Sequence, residues 1–196
     1  MNSSNGKTRC WGDKDPLMRK YHDEEWGVPV HEDPIHYEFI LLEGVQAGLN
    51  WSIVLKKREN YREAFDNFDY KKIANYDQDK IEELLSNPGL IRNKKKIESH
   101  IKNARAFINV QEEYGSFDDY IWSFADYRPK MNNFKTFKEM PSKTDISEEM
   151  AKDLKKKGFS FVGPTTCYAY MQSVGMVNDH LIHCFRWKAI KEKYGS

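Results

Sequence analysis

Residues 153–176 have the sequence DLKKKGFSFVGPTTCYAYMQSVGM, which predicts two helices joined by a tight hairpin. Gly158 is placed to end the first helix, and Pro164 is placed at the first position of the second. Free backbone N–H groups at the start of a helix suit a phosphate, and the adjacent lysines add positive charge. Because helix–hairpin–helix elements are common and often purely structural, a role without DNA stays open. The candidate DNA contacts in this segment are Gly158, Gly163, Lys155 and Lys157.

The rest of the chain is also patterned as helix, and the predicted fold class is all-α. Asp33 is a predicted N-cap followed by Pro34, which opens a helix that extends to about Ala47. Apolar residues recur every three or four positions between Asn93 and Glu112, the spacing of an amphipathic helix. No segment shows the period-two alternation of a half-buried strand. Further helices are predicted over residues 61–65, 77–85, 117–124, 146–157 and 164–173, and residues 127–143 are predicted to form a long loop.

The composition of this 196-residue chain suits one globular domain, or two small lobes around a shared core. Charged residues make up 31%, and the longest apolar run is residues 39–42, which argues against a membrane span. The first ten residues lack the apolar segment of a signal peptide, and three cysteines, an odd number, favour a reducing cytoplasm over a disulfide framework. The net charge is +1, so contacts with nucleic acid must come from local basic patches.

Four potential metal ligands lie at the two ends of the chain. Cys10 and His22 are near the start, while His180 and Cys184 are spaced so that a helix would present both on one face. A Cys2His2 set with no open position is the usual way to hold a structural zinc, and here it would join the N-terminal arm to the C-terminal segment. The two halves match no compact zinc-finger spacing. A chance arrangement, a Cys10–Cys184 disulfide or two small buried thiols therefore stay open, and His183 is a rival ligand.

Glu43 is the only charged residue between Phe39 and Leu55. Such a carboxylate is either solvated at a helix edge or desolvated, with a raised pKa and a functional role. Trp51 follows a small-residue turn and would form one wall of a site for a flat, electron-poor ring. Leu49, in the same turn, is a candidate wedge for DNA or an ordinary core residue.

Three segments together carry a resemblance to a known family. In the first, YHDEEWGVP (residues 21–29), residue type alone predicts that Tyr21 and Trp26 are core residues and that the acids form a solvated surface. The others are LLEGVQAGLNWSIVLKKRENYREAF (residues 41–65) and LKKKGFSFVGPTTCYAYMQSVGMVNDHLIHC (residues 154–184). In this order and at these separations, they resemble the 3-methyladenine DNA glycosylase I family, the Tag type.

The resemblance implies a base-excision repair enzyme of the helix–hairpin–helix DNA glycosylase superfamily. Such enzymes hydrolyse the N-glycosidic bond of 3-methyladenine in alkylated double-stranded DNA, and they leave an abasic site without a lyase step. The family's zinc is structural, which implies one Zn²⁺ per chain that clamps the two chain ends together. The matching metal ligands are Cys10, His22, His180 and Cys184. In the base pocket the resemblance implies that Glu43 and Tyr21 are the catalytic residues and that Trp51 binds the substrate, with Trp11 and Trp26 where further substrate-binding aromatics are expected.

The resemblance extends from Cys10 to Cys184. We therefore expect one glycosylase domain over residues 10–186 with its hairpin at about residues 153–175, a flexible extension over residues 1–9, and a tail over residues 187–196. We also expect a monomer with no membrane partner. Asp179 lies near the position of an essential Asp in the wider superfamily, but the Tag type works without that residue, so Asp179 is a minor candidate.

Two other classes of function are weighed against this one. A non-catalytic DNA-binding module would keep the hairpin and the zinc clamp but lose Glu43 or Trp51, and both are present. A zinc hydrolase would need an open coordination position and a nearby general base, and the spacing of His180 and Cys184 lacks that signature.

Overall fold

The fold is mostly helical, as the sequence predicts. The computed structural model describes residues 7–195, which form ten α-helices and one parallel pair of two-residue strands. No described helix has the length and apolar character that crossing a membrane requires. Strand β1 (Lys130–Met131) pairs with β2 (Val177–Asn178), with Lys130 opposite Val177. The helices are α1 (Pro16–Glu24), α2 (Asp33–Gln46), α3 (Trp51–Ala64), α4 (Tyr70–Ile73), α5 (Gln78–Ser86), α6 (Lys94–Tyr114), α7 (Phe117–Trp122), α8 (Asp145–Lys156), α9 (Pro164–Ser173) and α10 (Phe185–Tyr194).

Helix α2 is the centre of the core. All of its residues from His36 to Val45 are buried, because this nearly continuous apolar run has no face suited to water. The helix packs against α3, α6, α7 and α9. Glu43 lies in its last turn and is therefore carried into the interior of the protein.

Two predicted helix starts differ in the structure. The N-cap of α2 is Glu32, one residue earlier than predicted, and the carboxylate of Asp33 instead accepts the backbone N–H groups of Phe117 and Asp118 at the start of α7. The helix predicted over residues 61–65 is only the end of α3. This helix begins at Trp51, where the side chain of Asn50 caps its first turn.

The C-terminal residues, predicted to form a tail, are mostly helical in the structure. Helix α10 spans Phe185–Tyr194, so the predicted boundary between residues 186 and 187 falls inside it. Ile190 is buried, and the indole of Trp187 donates to the backbone oxygen of Asn132. This bond ties α10 to the predicted loop 127–143, which contains β1 and a short 3-10 turn. Residues 1–6 of the predicted flexible extension lie outside the described residues.

The connection between α8 and α9 is held by local and long-range hydrogen bonds. Gly158 has φ +98°, a left-handed conformation that allows the chain to leave α8, and the N–H of Phe159 bonds back to the oxygen of Leu154. The buried side chain of Asn103, on α6, donates to the oxygen of Ser160 and accepts from its N–H. The turn is thus fixed to the body of the protein.

The N-terminal arm crosses closely over the end of α9. Gly27 N–H donates to the oxygen of Gln172, and Val30 N–H donates to the oxygen of Val174. Gly175 has φ +70°, and a Cβ atom there would overlap the backbone of Val28. Only glycine fits this crossing, which brings the two chain ends together.

Candidate active site and metal cluster

A cavity of about 170 Å³ lies where α1, α2, α3 and α9 meet. Its polar groups include the carboxyl of Glu43 and the side chains of Gln46, Gln172 and Ser173, while aromatic rings supply most of the remaining wall. A cavity with aromatic walls and a few convergent polar groups is the usual form of a small-molecule site. The lining residues are Tyr21, Trp26, Glu43, Gln46, Trp51, Ala169, Gln172 and Ser173.

Glu43 is buried in this cavity and not solvated at a helix edge, with a relative exposure of 3%. Tyr21 OH donates to Ser173 Oγ at 3.0 Å, and Ser173 Oγ donates to Glu43 Oε1 at 2.7 Å. The second carboxylate oxygen, Oε2, is buried without a hydrogen-bond partner among the described residues. Burial raises the pKa of Glu43 to about 8, against the opposing effect of the Ser173 hydrogen bond. Glu43 is therefore an acceptor with an unused oxygen and a strong affinity for a proton or a cationic donor.

The aromatic walls are positioned by α1 and by the start of α3. The rings of Tyr21 and Trp51 lie with centroids 5.3 Å apart at 48°, and Trp26 is on the segment just after α1. Tyr21 and Trp26 are buried core residues, and both also line the cavity. Trp11 is placed differently: it packs edge-on against Trp26 at 5.2 Å and borders a separate surface hollow with residues 12–15 and Met18.

The four predicted metal ligands converge on one point. Their ligand atoms all lie within 4.8 Å of one another, and they form a group that can hold a metal ion. The Sγ atoms of Cys10 and Cys184 are each 3.4 Å from His22 Nε2, and they are 3.7 and 3.6 Å from His180 Nδ1. The cysteines are free thiols, so the structure does not form the alternative disulfide. His183, the rival ligand, is exposed and lies outside the group.

The remaining nitrogen of each cluster histidine has a partner of its own. His22 Nδ1 bonds to the carboxylate of Asp23 at 2.8 Å, and the guanidinium of Arg9 holds that carboxylate through three further bonds. His180 Nε2 lies 2.9 Å from the backbone oxygen of Trp26. Carboxylate and carbonyl partners of this kind fix the tautomer and ring direction of metal-binding histidines. Burial lowers the pKa of His180, which favours the neutral form that binds metals.

Comparison with known proteins identifies a family for this chain. The family model described as methyladenine glycosylase matches residues 11–187, nearly the whole described chain. The chain belongs to the methyladenine glycosylase family. It is therefore an enzyme that hydrolyses N-glycosyl bonds.

Similar proteins include one curated relative and two solved structures. The DNA-3-methyladenine glycosylase of Haemophilus influenzae is 47% identical over 90% of this chain and 96% of its own length. A crystal structure of 3-methyladenine DNA glycosylase I (TAG) is 48% identical, with a TM-score of 0.88, and covers 91% of this chain and 98% of its own. A variant of 3-methyladenine DNA glycosylase I (TAG) solved in complex with 3-methyladenine is 32% identical, with a TM-score of 0.87, over 89% of this chain and 94% of its own.

The predicted DNA contacts of this glycosylase lie in two places: the end of α8 with the turn that follows it, and the turn between α2 and α3. Gly163 is the N-cap of α9, and open space faces the position where a Cβ atom would be. Lys155 is exposed, whereas the ammonium of Lys157 pairs with Glu113 at 2.6 Å and lies over the ring of Tyr114. Leu49 is partly exposed in the turn between α2 and α3, outside the main hydrophobic cluster. Gly158 has a positive φ, which shapes the turn between α8 and α9.

Several residues of the site were not predicted from the sequence. Ser173 is the hydrogen-bond partner of Glu43, and Gln172 and Ala169 line the same cavity. These three residues are spaced so that one face of a helix carries them, which indicates that they act together but not what they face. Lys96 was also missed as a structural group: its buried ammonium donates to the backbone oxygens of Val45 and Ala47 at the end of α2.

Proposed function

We propose that this enzyme removes 3-methyladenine from alkylated double-stranded DNA by hydrolysing the N-glycosidic bond. It releases the free base and leaves an abasic site, with no strand-cleaving lyase step. The observation that carries the proposal is the buried Glu43 carboxyl group, with one oxygen unused, inside a cavity with aromatic walls. The complex of a related enzyme with 3-methyladenine supports the same choice of ligand.

The cavity chemistry suits a flipped, positively charged base. A base within a duplex is out of reach, so it must be rotated into a pocket at a cost of a few kcal/mol. Methylation at N3 makes adenine in DNA cationic, and a cation against the aromatic wall formed by Trp51 and Tyr21 gains about 1–2 kcal/mol when desolvated. The cationic base favours the ionised form of Glu43, which then accepts a hydrogen bond from the N–H donors of the base, and a charged hydrogen bond is a strong one. Normal adenine lacks the positive charge and leaves a buried carboxylate less well compensated.

The same positive charge reduces the catalysis that the protein must supply. A cationic base is a good leaving group, because bond cleavage neutralises it. Glu43 and Tyr21, linked through Ser173, hold the base while the bond to the sugar breaks. The proposal therefore assigns these residues to binding and orienting the leaving group, and it requires no essential Asp beyond the hairpin.

We assign the metal cluster to one structural Zn²⁺ per chain. Tetrahedral zinc with ordinary Zn–S and Zn–N bond lengths places sulfur and nitrogen ligands about 3.6 Å apart, close to the distances between the four side chains. Four protein ligands leave no position for water, so the ion would clamp the chain ends and take no part in hydrolysis. The clamp also supports the cavity, because the residue that accepts from His180, Trp26, lines the cavity with its ring.

DNA is held in this proposal by the helix–hairpin–helix of α8 and α9 and by Leu49. The open N-terminus of α9 at Gly163 offers backbone N–H groups to a phosphate, and Lys155 adds charge nearby. Leu49 fills the space that the flipped nucleotide leaves. The cavity and the cluster are each complete within one chain, which supports a monomer, and the free thiols suit the cytoplasm.

The direct test is the release of free 3-methyladenine from methylated duplex DNA, measured by chromatography for the wild type and for Glu43→Gln. We expect release by the wild type, with an intact abasic strand, and much slower release and weaker base binding by the variant. Binding of undamaged DNA should barely change. Wild-type protein that binds methylated DNA without releasing base would instead indicate a non-catalytic lesion-binding module, and normal excision by Glu43→Gln would refute the pocket assignment.

A further inference from the structure

The side chain of Gln172 is held in one orientation at the wall of the cavity. Its amide nitrogen, Nε2, donates to Asp179 Oδ2 at 2.7 Å and also lies 3.2 Å from the sulfur of Met140. A carboxylate only accepts hydrogen bonds, so the amide nitrogen must face Asp179. Both N–H groups are thereby directed to protein partners, and the carbonyl oxygen Oε1 is the polar atom that Gln172 can offer to the cavity.

Asp179 is itself fixed by a complete set of donors. It is 1% exposed, and besides Gln172 it accepts from Asn132 Nδ2 at 2.6 Å and from Tyr168 OH at 2.6 Å. Three donors around one buried carboxylate leave it little capacity for a reacting group and hold it rigidly. The geometry suits a residue that orients a neighbour more than one that touches a substrate.

We propose that the Gln172 carbonyl is a second hydrogen-bond acceptor for the exocyclic amino group of the base. Asp179 is then the positioning residue, because its bond to the amide nitrogen keeps the carbonyl oxygen of Gln172 directed into the cavity. The inference rests on the proposed use of the cavity as the base site. With Glu43, the cavity then presents two acceptors to the base. An adenine-type base offers an amino group to them, whereas a guanine-type base has a carbonyl oxygen at the same ring position.

This arrangement predicts selectivity for amino over oxo purines. A carbonyl oxygen that meets two acceptors gains no hydrogen bond and leaves buried polar groups unpaired, which a polar site penalises more strongly than a missing apolar contact. Gln172 is therefore expected to contribute to the preference for 3-methyladenine over 3-methylguanine.

The test measures binding of the free bases 3-methyladenine and 3-methylguanine by calorimetry. Gln172→Met keeps the length of the side chain but removes the acceptor, so it should weaken 3-methyladenine binding about tenfold, the equivalent of one hydrogen bond between uncharged groups. Binding of 3-methylguanine should not be weakened by Gln172→Met, so the affinity for 3-methyladenine relative to that for 3-methylguanine should decrease. Asp179→Asn, which replaces an acceptor-only group by one that also donates, should act in the same direction. It should have no further effect in the Gln172→Met background.

Gln111→Met is the matched control. Gln111 also donates to a carboxylate, that of the half-buried Asp33, but lies away from the cavity. This variant should change thermal stability without changing either base affinity. Metal content and melting temperature, measured for every variant, show whether Asp179→Asn has disturbed the adjacent His180; if it has, Gln172→Met alone decides the proposal.

Three outcomes would overturn the inference. Unchanged 3-methyladenine binding by Gln172→Met means that Gln172 does not contact the base. An equal loss for both bases means that it sets only the shape of the cavity. An undiminished effect of Asp179→Asn in the Gln172→Met background means that Asp179 acts directly. Glu43→Gln separates these failures from that of the proposed function: if it too leaves binding unchanged, the cavity is not the base site.

Discussion

Glu43 combines burial with an unused carboxylate oxygen, and this combination has a thermodynamic cost. Its ordinary pKa is 4.5, and burial raises the pKa to about 8 in the folded protein. Between these values the folded state keeps a proton that the unfolded state has released. The unfolded state therefore binds fewer protons, and the contribution of Glu43 to stability falls as the pH rises through this window.

Glu43→Gln should consequently be more stable than the wild type, by an amount that grows from pH 5 to pH 8. Each pH unit in the window is worth at most about 1.4 kcal/mol, or ~3–6 °C in melting temperature for a chain of this size. The measurement is thermal unfolding of both proteins across that range. A constant difference at all pH values would show that Glu43 has no raised pKa.

Glu38→Gln provides the control on the same helix. Glu38 is also buried, but its Oε1 accepts from Arg58 and Arg62, each at 2.7 Å. Removing this charge leaves Arg58 with Glu25 and Arg62 with the exposed Glu59 as their remaining acidic partners. The variant should thus be less stable than the wild type at both ends of the pH range, the opposite of Glu43→Gln.

Residue types alone indicated the four cluster residues as one possible metal-ligand set. They also indicated that Glu43 was isolated among apolar residues. They could not predict its partner. Ser173 is 130 positions away and contacts Glu43 only because α2 packs against α9. The closed network around Asp179 has the same origin, since Asn132 reaches it from a segment predicted only as loop.

At the scale of elements, the proposed phosphate contact at the hairpin between α8 and α9 uses backbone N–H groups and no side chain. Gly163 has φ −72°, which any residue adopts, and no atom lies within 4 Å of the place of its Cβ. Gly163→Val should therefore leave the melting temperature nearly unchanged but block the approach of a phosphate.

The expected result of Gly163→Val is weaker binding to methylated and unmethylated DNA alike, because phosphate contacts carry no base information. Each lost phosphate contact should lower the slope of log affinity against log salt by about one unit. Free-base binding should survive. A variant that loses free-base binding while its DNA affinity and salt slope stay intact would place the hairpin in the pocket scaffold instead.

The two hairpin lysines should differ in their contribution to DNA binding. Lys155 is exposed, whereas Lys157 already pairs with Glu113, and this pairing raises the pKa of Lys157. Lys155→Ala should reduce the salt dependence of DNA binding by roughly one unit, and Lys157→Ala should reduce it less. Salt titrations of DNA binding by the two variants give the comparison; an equal or larger effect at Lys157 would show that DNA breaks its internal ion pair.

Helix positions were predictable where apolar residues recur at helical spacing, as in α6. Helix α3 was predicted only at its end because it buries just Val54, Leu55 and Tyr61, too few to form a clear stripe. Its start depends on the Asn50 cap, and this signal was obscured by the small residues before it. Helix α10 was missed for a related reason: only Ile190 is buried.

At the scale of the whole molecule, the metal cluster closes a loop that contains nearly the entire described chain. Cys10 and His180 are 170 positions apart. Closing such a loop in the unfolded chain costs on the order of 4–5 kcal/mol of conformational entropy. A bound ion would provide much of the compensating free energy, since metal binding to a site formed only on folding stabilises the folded state.

Metal analysis of the purified protein should find about one zinc per chain. Cys184→Ser should lower the melting temperature markedly while the remaining folded protein still binds base, because the cluster supports the cavity without lining it. Cys167→Ser is the control, since Cys167 is buried outside the cluster. Removal of the metal with stability intact and activity lost would contradict a structural role.

The meeting of the two chain ends also sets the order in which this enzyme can mature on the ribosome. Tyr21, Trp26, Glu43 and Trp51 are synthesised early, but the opposite wall, residues 169–173, and two of the four cluster ligands emerge last. During most of translation the aromatic residues of the early wall therefore lack the α9 residues that they face in the folded protein. Exposed hydrophobic surface of this kind is what chaperones bind. A messenger truncated before codon 180 would yield a product that lacks two of the four cluster ligands. Such a product should fail to fold and be degraded; it should not persist as a folded enzyme of low activity.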